Sequence, residues 1–347
     1  MNEHFTEEII VEVPRQLKDK RFDRVLFLLL QKKFPENKSL SRGFAAQLIQ
    51  NGQAILNGKV VLPRVKVLFQ DRIVVANGAF VATETTYPPS EVPDIEVLFE
   101  NVDLIVINKP VGVAVHGGAA GNSGTVVAWI LATYKALATV GEDATRPGIV
   151  HRLDRETSGV LLIAKNNEMF QILKDAFQER LVEKRYVALV YGHMPNAFGT
   201  IDTPLMRLSG ELKRKAVDMT KEMAKLPGTL RSALTQYQVV AHAGECDVLV
   251  LSPKTGRTHQ IRVHLASIGY PVVGDKLYAF KPARRGEKLF PARHMLHAAS
   301  LSLSLGDQKY IFTTPLPEDF RGVLYALDPV TYEATLTAIE MALPKPV

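Results

Sequence analysis

Cysteine is nearly absent from this chain, which has only Cys246. No intramolecular disulfide can form, and no cysteine-type zinc site. Long apolar runs are missing too, since none approaches the ~18 residues of a membrane span. Residues 1–8 are acidic and have no apolar centre, so they do not read as a secretory signal. Internal repeats and heptads are absent, which excludes solenoids and coiled coils. A soluble, cytoplasmic protein is expected, with no membrane partner.

Acidic residues are scarce between 15 and 75. That segment has 13 Lys/Arg against 4 Asp/Glu, a net of +9, whereas the whole chain of 347 residues carries +6. Basicity concentrated in one module suggests a polyanionic partner held through phosphates. A solvated basic face without a partner is the other reading.

The pattern of this basic segment predicts a compact unit. A helix is expected from Arg21 to Phe34. A second opens at Ser39-Leu40-Ser41-Arg42 with a serine cap and ends at Asn51-Gly52. Residues 54–61 read as a hairpin, because Asn57-Gly58 favours the type I′ turn. A strand over 71–75 closes the unit. Residues 83–93 contain three prolines and no apolar period, which fits a linker. The expected divisions are a tail over 1–14, a basic module over 15–80, a linker over 81–94 and a large unit over 95–347.

In the large unit, strands are expected at 95–100, 104–110, 160–164, 184–192, 237–240, 247–251 and 301–305. Helices are expected at 126–136 (amphipathic), 168–178 and 331–343, and 254–266 reads as a turn leading into a helix. Basic loops are expected at 207–225 and 281–293. The glycine-rich run 117–124 lacks both the GxGxxG spacing and a Gly-Lys-Ser/Thr ending, which argues against a nucleotide cradle. Many strands with short helices between them predict an α+β fold, a mixed, mostly antiparallel sheet with packed helices.

The richest stretch is His151-Arg152-Leu153-Asp154-Arg155-Glu156-Thr157-Ser158-Gly159, which runs straight into the apolar Val160 to Ala164. Dense polar chemistry at the mouth of a buried strand is how a rigid scaffold presents a reactive group. Asp154 is flanked by two arginines, which favour its ionised form. An ionised, positioned carboxylate can act as a nucleophile or a base. A salt-bridged turn before a strand is the plainer reading. Glu156, two residues on, would lie on the same side of an extended backbone, so a two-carboxylate hydrolase stays open. His151, His259, His264, His294 and His297 have no metal-ligand spacing and read as structural, and no metal is expected.

The motif around Asp154 resembles the active-site motif of the RluA-type RNA pseudouridine synthases. Asn108-Lys109-Pro110 with the following His116-Gly117 loop, Lys184-Arg185-Tyr186, and Gly256-Arg257-Thr258-His259-Gln260-Ile261-Arg262 resemble further landmarks of that family, in the same order. Residues 40–73 resemble an S4-type RNA-binding domain, a small α/β fold. The overall pattern is most like the RluD subgroup, which modifies large-subunit ribosomal RNA. The RluC-like subgroup, acting on other sites of that RNA, is the alternative, followed by a non-catalytic RNA-binding protein that keeps the fold.

What the resemblance implies is an enzyme that isomerises uridine to pseudouridine in RNA after flipping the base out. Atoms and oxidation state are conserved, so no cofactor is implied. Asp154 would be the essential residue, attacking the sugar or removing its proton. Tyr186 would stack on the base, and Arg262 would pair with Asp154. Ile261 would cover the other face of the base and Arg152 would fill the gap left in the RNA, with His151 and Arg257 also at the substrate. Arg42, Lys59, Arg64 and Lys66 would contact RNA from the S4-type module. RNA is the expected partner, and the protein is expected to act as a monomer.

Overall fold

The computed structural model describes residues 8–35, 40–76, 92–117, 123–143, 145–207, 214–216, 230–279 and 291–345. Strand β1 (Ile9–Glu12) leads into helices α1 (Phe22–Lys33) and α2 (Arg42–Gln50). Strands β2 (Ala54–Leu56) and β3 (Arg72–Val75) follow, and the three strands form an antiparallel sheet in the order β1-β3-β2. Phe22, Val25, Leu26, Phe44, Leu48 and Ile49 join it in a core of its own. Helix α2 starts where the sequence predicts, with Phe44 N–H donating to Ser41 Oγ at 3.0 Å.

Two expectations for this region are corrected. Residues 9–12 are not tail. They pair with β3, with Ile9 opposite Val75 and Val11 opposite Ile73, because Ile9 and Val13 are apolar enough to be buried. The Asn57-Gly58 turn does form, with φ of 51° and 75°, but it does not extend into a hairpin. Leu56 and Lys59 make a lone bridge, and Ala54–Leu56 pair with β3 instead. Asn57 ties the turn to that strand: its Oδ1 accepts from Arg72 N–H at 2.7 Å, and its Nδ2 donates to Asp71 at 2.8 Å.

The rest of the chain builds around one sheet. Its first part comprises β4 (Glu96–Glu100), β5 (Leu104–Lys109), α3 (Val126–Thr133), β6 (Ser158–Ala164), α4 (Asn167–Gln178) and β7 (Glu183–Tyr191). Next come β8 (Phe198–Asp202), β9 (Leu205–Arg207), β10 (Arg214–Ala216), β11 (Leu230–Arg231), β12 (Leu234–Ala243), β13 (Cys246–Pro253) and α5 (Gln260–Ser267). Strands β14 (Leu296–Leu305) and β15 (Gln308–Thr313) and helices α6 (Glu318–Leu327) and α7 (Tyr332–Ala342) complete it. The nine-stranded sheet runs β4-β5-β6-β14-β7-β13-β12-β8, with β15 also on β14. Every pairing is antiparallel except β6 beside β14. The expected mixed, mostly antiparallel α+β class is therefore the one observed.

The parallel step matters most for the site. Strand β6 is buried along its whole length. Gly159 has φ +119°, and a Cβ there would lie 2.2 Å from the Ala298 carbonyl of β14. Only glycine lets the two strands close at this point. The loop carrying Asp154 is thereby delivered to the middle of the sheet.

Other expectations shift. Helix α3 is not amphipathic. Val126, Val127, Ala128, Trp129 and Ile130 are all buried, as in a helix enclosed on every side. The basic stretch 207–225 is not all loop, since β10 pairs with β9 and β11 takes the other edge of β9. Buried Leu205 and Met206 anchor that ribbon. The remainder of 207–225, the linker over 81–91, the glycine-rich 118–122 and the loop over 281–290 lie outside the described residues. Arg293, expected in a basic loop, is buried and paired with Asp319 at 2.6 and 2.9 Å.

Helix α2 also docks on the large unit. Gly43 N–H donates to Gly141 O at 2.8 Å and Gln47 Nε2 to Ala138 O at 2.8 Å, while Ser41 Oγ donates to Thr139 O. A glycine inside a helix costs about 1 kcal/mol. Its use here is steric, because a Cβ at Gly43 would lie 2.8 Å from the Gly141 carbonyl. Gly43→Val is expected to weaken this docking by about 1–3 kcal/mol through overpacking. Amide hydrogen exchange should rise at residues 41–47 and 138–142 and stay unchanged in β5 and β6. Unchanged exchange at the two docking segments would show that the contact is not held in solution.

Candidate active site

A cavity of about 650 Å³ opens where the Asp154 loop, β7 and the turn before α5 converge. That volume suits one nucleotide-sized ligand. Asp154, Tyr186, Arg262, Arg152, Ile261, His151 and Arg257 all line it. Arg42, Lys59, Arg64 and Lys66 do not.

Arg262 is the hub. Its Nη1 donates to Asp154 Oδ2 at 3.0 Å. On its other edge, Nε and Nη2 donate to Asp275 at 2.6 and 2.8 Å, a bidentate fork. The Arg262 side chain is 5% exposed and Asp154 is 16% exposed. Burial alone would lower the Arg262 pKa, but the bonds and charges of Asp275 and Asp154 outweigh it and raise it. Burial would likewise raise Asp275, and the Arg262 bonds and charge bring it below its ordinary value. Leu277 and Tyr278 donate backbone N–H groups to the same Asp275 oxygen. The Tyr278 ring sits 5.2 Å from the guanidinium. His259 Nε2 lies 3.8 Å from Asp154 Oδ1.

The turn into α5 is locked onto β12. Thr255 Oγ1 and Arg257 N–H donate to Gln260 Oε1, and Gln260 Nε2 donates to Leu234 O and Thr235 Oγ1, both at 3.0 Å. His259 adopts a left-handed φ of 59° to enter the helix, and its Nδ1 shares a hydrogen bond with Tyr278 at 2.9 Å. This turn aims Arg262 at Asp154. Ile261, one residue earlier, is buried among Leu249, Leu251 and Leu265 while still edging the cavity.

Tyr186 is half-buried on β7, between the two cores on either side of that strand. Burial, and then the charge of Asp154, push its phenol above the ordinary range, so it stays protonated. Arg152 is exposed at the mouth of the cavity. Arg257 is only partly available, since its Nε donates to Ser232 O at 3.2 Å. His151 has a structural contact as well. Its Nε2 accepts from Leu162 N–H at 2.9 Å, and its ring stacks on Phe177 at 4.5 Å. Burial, helped by Lys184, lowers its pKa to about 3, as an acceptor requires.

The other histidines picked out in the sequence also have protein partners. His294 bonds Thr157 and His297 bonds Ser158, each at 2.8 Å, and both ties hold the end of the Asp154 loop. His264 bonds Thr235 and the Thr203 carbonyl, each at 2.9 Å. Residues 154–157 form a turn closed by Thr157 N–H to Asp154 O at 3.0 Å. Glu156 therefore does not share a side with Asp154. It lies 4.0 Å from Arg155 and does not line the cavity.

Arg42 is bonded to the buried carboxylate of Asp23 at 3.1 Å, beside Arg21 at 2.7 Å, and its side chain stays partly exposed. Lys59, Arg64 and Lys66 are exposed. The basic side chains around the cavity come from the large unit: Arg146, Arg152, Lys174, Arg180, Lys184, Lys254 and Arg257, against the acidic Asp154 and Glu183. These cations come from separate short stretches of a unit whose net charge is close to zero, which conceals them from a charge count by segment.

Two residues near the site had no role in the sequence reading. Asp275 sits in the turn after α5, with nothing in its neighbours to flag it. Lys109 belonged to a recognised motif without an assigned task. It is fully buried, and its Nζ donates to the carbonyls of Pro110 at 2.7 Å, Val113 at 2.8 Å and Arg155 at 3.1 Å. It thus ties the Asp154 loop to the end of β5.

With this geometry established, comparison with known proteins is direct. A family model described as RNA pseudouridylate synthase matches residues 103–267, the span from β5 to the end of α5. The chain belongs to the RNA pseudouridylate synthase family. Its relatives include the ribosomal large subunit pseudouridine synthase D of Escherichia coli K12, 32% identical over 89% of this chain and 92% of that protein. The protein of the same name from Borreliella burgdorferi is 36% identical over 67% of this chain and 68% of its own length. Human RNA pseudouridylate synthase domain containing 1 is similar in structure, with TM-score 0.54 and 27% identity. That match covers 75% of this chain and all of the human one.

Lys109 provides a test of how the loop is held. Burial lowers its pKa to about 7, against roughly 10.4 in an unfolded chain. Between those values the unfolded chain holds a proton that the folded protein releases, so this group's contribution to stability rises with pH across that window. Lys109→Met is expected to cost about 1–3 kcal/mol at neutral pH by stranding buried carbonyls. The stability gap to wild type should widen from pH 7 to pH 10 in denaturant titrations. Parallel stability curves would contradict a buried, proton-releasing lysine.

Proposed function

We propose that this enzyme converts specific uridines of large-subunit ribosomal RNA to pseudouridine, with Asp154 as its essential residue. The observation that carries the proposal is the Asp154–Arg262 contact at 3.0 Å in a nucleotide-sized cavity. The substrate assignment rests on the printed activity of the relatives, which are large-subunit synthases.

The chemistry follows from the residues. Isomerisation breaks the bond between uracil and ribose, turns the base, and rejoins it through carbon. Asp154 either attacks the sugar or takes a proton from it, and both routes need an ionised carboxylate. Arg262 pairs with that carboxylate and fixes its direction. Tyr186 offers a ring face to the base and a hydroxyl that keeps its proton. Ile261 covers the base from the other side. Because a base stacked in a helix is out of reach of an active-site side chain, the enzyme flips the nucleotide, at a cost of a few kcal/mol. Arg152 enters the vacated space in the RNA. The cations around the cavity hold the flanking phosphates. The N-terminal unit serves as an S4-type RNA-binding module, with Lys59, Arg64 and Lys66 on its exposed side. A hydrolase based on Asp154 and Glu156 is disfavoured, since Glu156 does not line the cavity.

The test is complementation. Cells lacking this gene should lose pseudouridine at defined positions of large-subunit ribosomal RNA. The wild-type gene should restore them, and Asp154→Asn should not, with turnover at least about three orders of magnitude lower and RNA affinity nearly unchanged. Loss of pseudouridine only from transfer RNA would contradict the substrate. Rescue by Asp154→Asn would contradict the residue.

A further inference from the structure

At the far end of the sheet from the cavity, three side chains converge that the reaction does not use. They are His193, just beyond β7, His242 on β12 and Asp247 on β13. Asp247 is directly opposite His242 across the hairpin. That register depends on a bulge between Val239 and Ala241. Continuing the regular pairing from Val239 opposite Leu249 would have set Ala241 against Asp247, with His242 one step away. Bulges re-aim side chains in this manner. On the other flank, Asp247 pairs with Val190 of β7. Gly192, at φ +79°, turns the chain so that His193 returns to the same carboxylate.

The geometry points to a binding site for a divalent transition metal of the zinc class, with His193, His242 and Asp247 as its ligands. His193 Nδ1 lies 2.7 Å from Asp247 Oδ1, and His242 Nδ1 lies 2.6 Å from the same oxygen. The three donor atoms fall within 4.8 Å of one another. The two rings are nearly perpendicular, with centroids 5.4 Å apart, so their Nδ1 atoms converge and the rings do not stack. Asp247 is fully buried, whereas the histidine side chains are 51% and 68% exposed. A metal here would be anchored on a fixed carboxylate and open to water at a fourth position.

The carboxylate is also oriented from behind. Its second oxygen, Oδ2, accepts from Met194 N–H at 2.7 Å. Outer contacts of this kind fix a metal-binding carboxylate. Two imidazoles and one carboxylate suit zinc, cobalt or nickel, and do not suit magnesium or calcium, which take oxygen donors. The five histidines that stand out in the sequence do not include this pair. His193 and His242 lie far apart in the chain, and only the order of β7, β13 and β12 in the sheet unites them. Asp247 lies opposite Val190, which is four residues beyond Tyr186 on β7, roughly 13 Å along an extended strand. The metal would therefore staple β7 to the β12–β13 hairpin and take no part in turnover.

The experiment is a titration of the full-length, tag-free, metal-depleted protein with Zn²⁺ alone, followed by calorimetry. Co²⁺ absorption serves as a second probe of the ligand set. One equivalent should bind to wild type, with the d–d bands of four-coordinate cobalt. His193→Ala and His242→Ala should each weaken binding by at least about ten-fold, and the double variant should bind no equivalent. Both histidines are exposed, so the variants should fold. Thermal melting without metal verifies this. Zn²⁺ should raise the melting temperature of wild type and leave that of the double variant unmoved. Failure of wild type to bind, or full binding by the double variant, would overturn the assignment.

Discussion

One guanidinium between two carboxylates organises this protein. Arg262 reaches Asp154 with one nitrogen and Asp275 with two others. Three charges at the edge of a core are costly to desolvate, and removing one partner of such a set commonly costs about 3–5 kcal/mol. Stability alone is therefore a weak reason for the arrangement. Its consequence is geometric. Asp275 holds the guanidinium plane, and the free Nη1 then leaves Asp154 one direction in which to pair. Both sides of the contact are braced. The α5 side is braced by the Thr255–Gln260 lock and the left-handed His259. The Asp154 side is braced by Lys109, by the Thr157–His294 and Ser158–His297 bonds, and by the close approach of Gly159 to β14.

Much of the frame was legible in the sequence, for physical reasons. An apolar run behind a polar cluster reads as a buried strand, and β6 is buried throughout. Asn51-Gly52 and the Ser41 cap bound α2 because those residues satisfy helix ends. What escaped depends on tertiary context. Strand β1 is too short to stand out and exists because β3 offers it an edge. Helix α3 has no polar face, so an expected amphipathic stripe could not mark its burial. Residues 54–61 carry a genuine hairpin turn, but Asn57 bonds to Arg72 and β3 captures the strand. Asp275 and Lys109 act on partners that only the fold supplies.

Charge tells a similar story. Summed by segment, the N-terminal fifth looks like the basic pole of the chain. In three dimensions Arg21 and Arg42 pair with the buried Asp23, while basic side chains from four separate stretches of the large unit gather around the cavity. A polyanion would therefore meet positive potential at the site of chemistry as well as on the N-terminal unit. Because α2 is bonded to residues 138–142, the two basic regions are presented together. Among the described residues no helix is long and apolar enough to cross a membrane.

The central claim is that Asp275 positions Arg262, and through it the carboxylate of Asp154. Asp275→Asn keeps the shape of the side chain and removes its charge, and Asp275 does not line the cavity. The decisive measurement is the single-turnover rate of this variant on saturating RNA, with affinity measured in parallel. A mispositioned Asp154 should slow the reaction by about 10²-fold with affinity nearly unchanged. A wild-type rate in a folded Asp275→Asn protein would contradict the account.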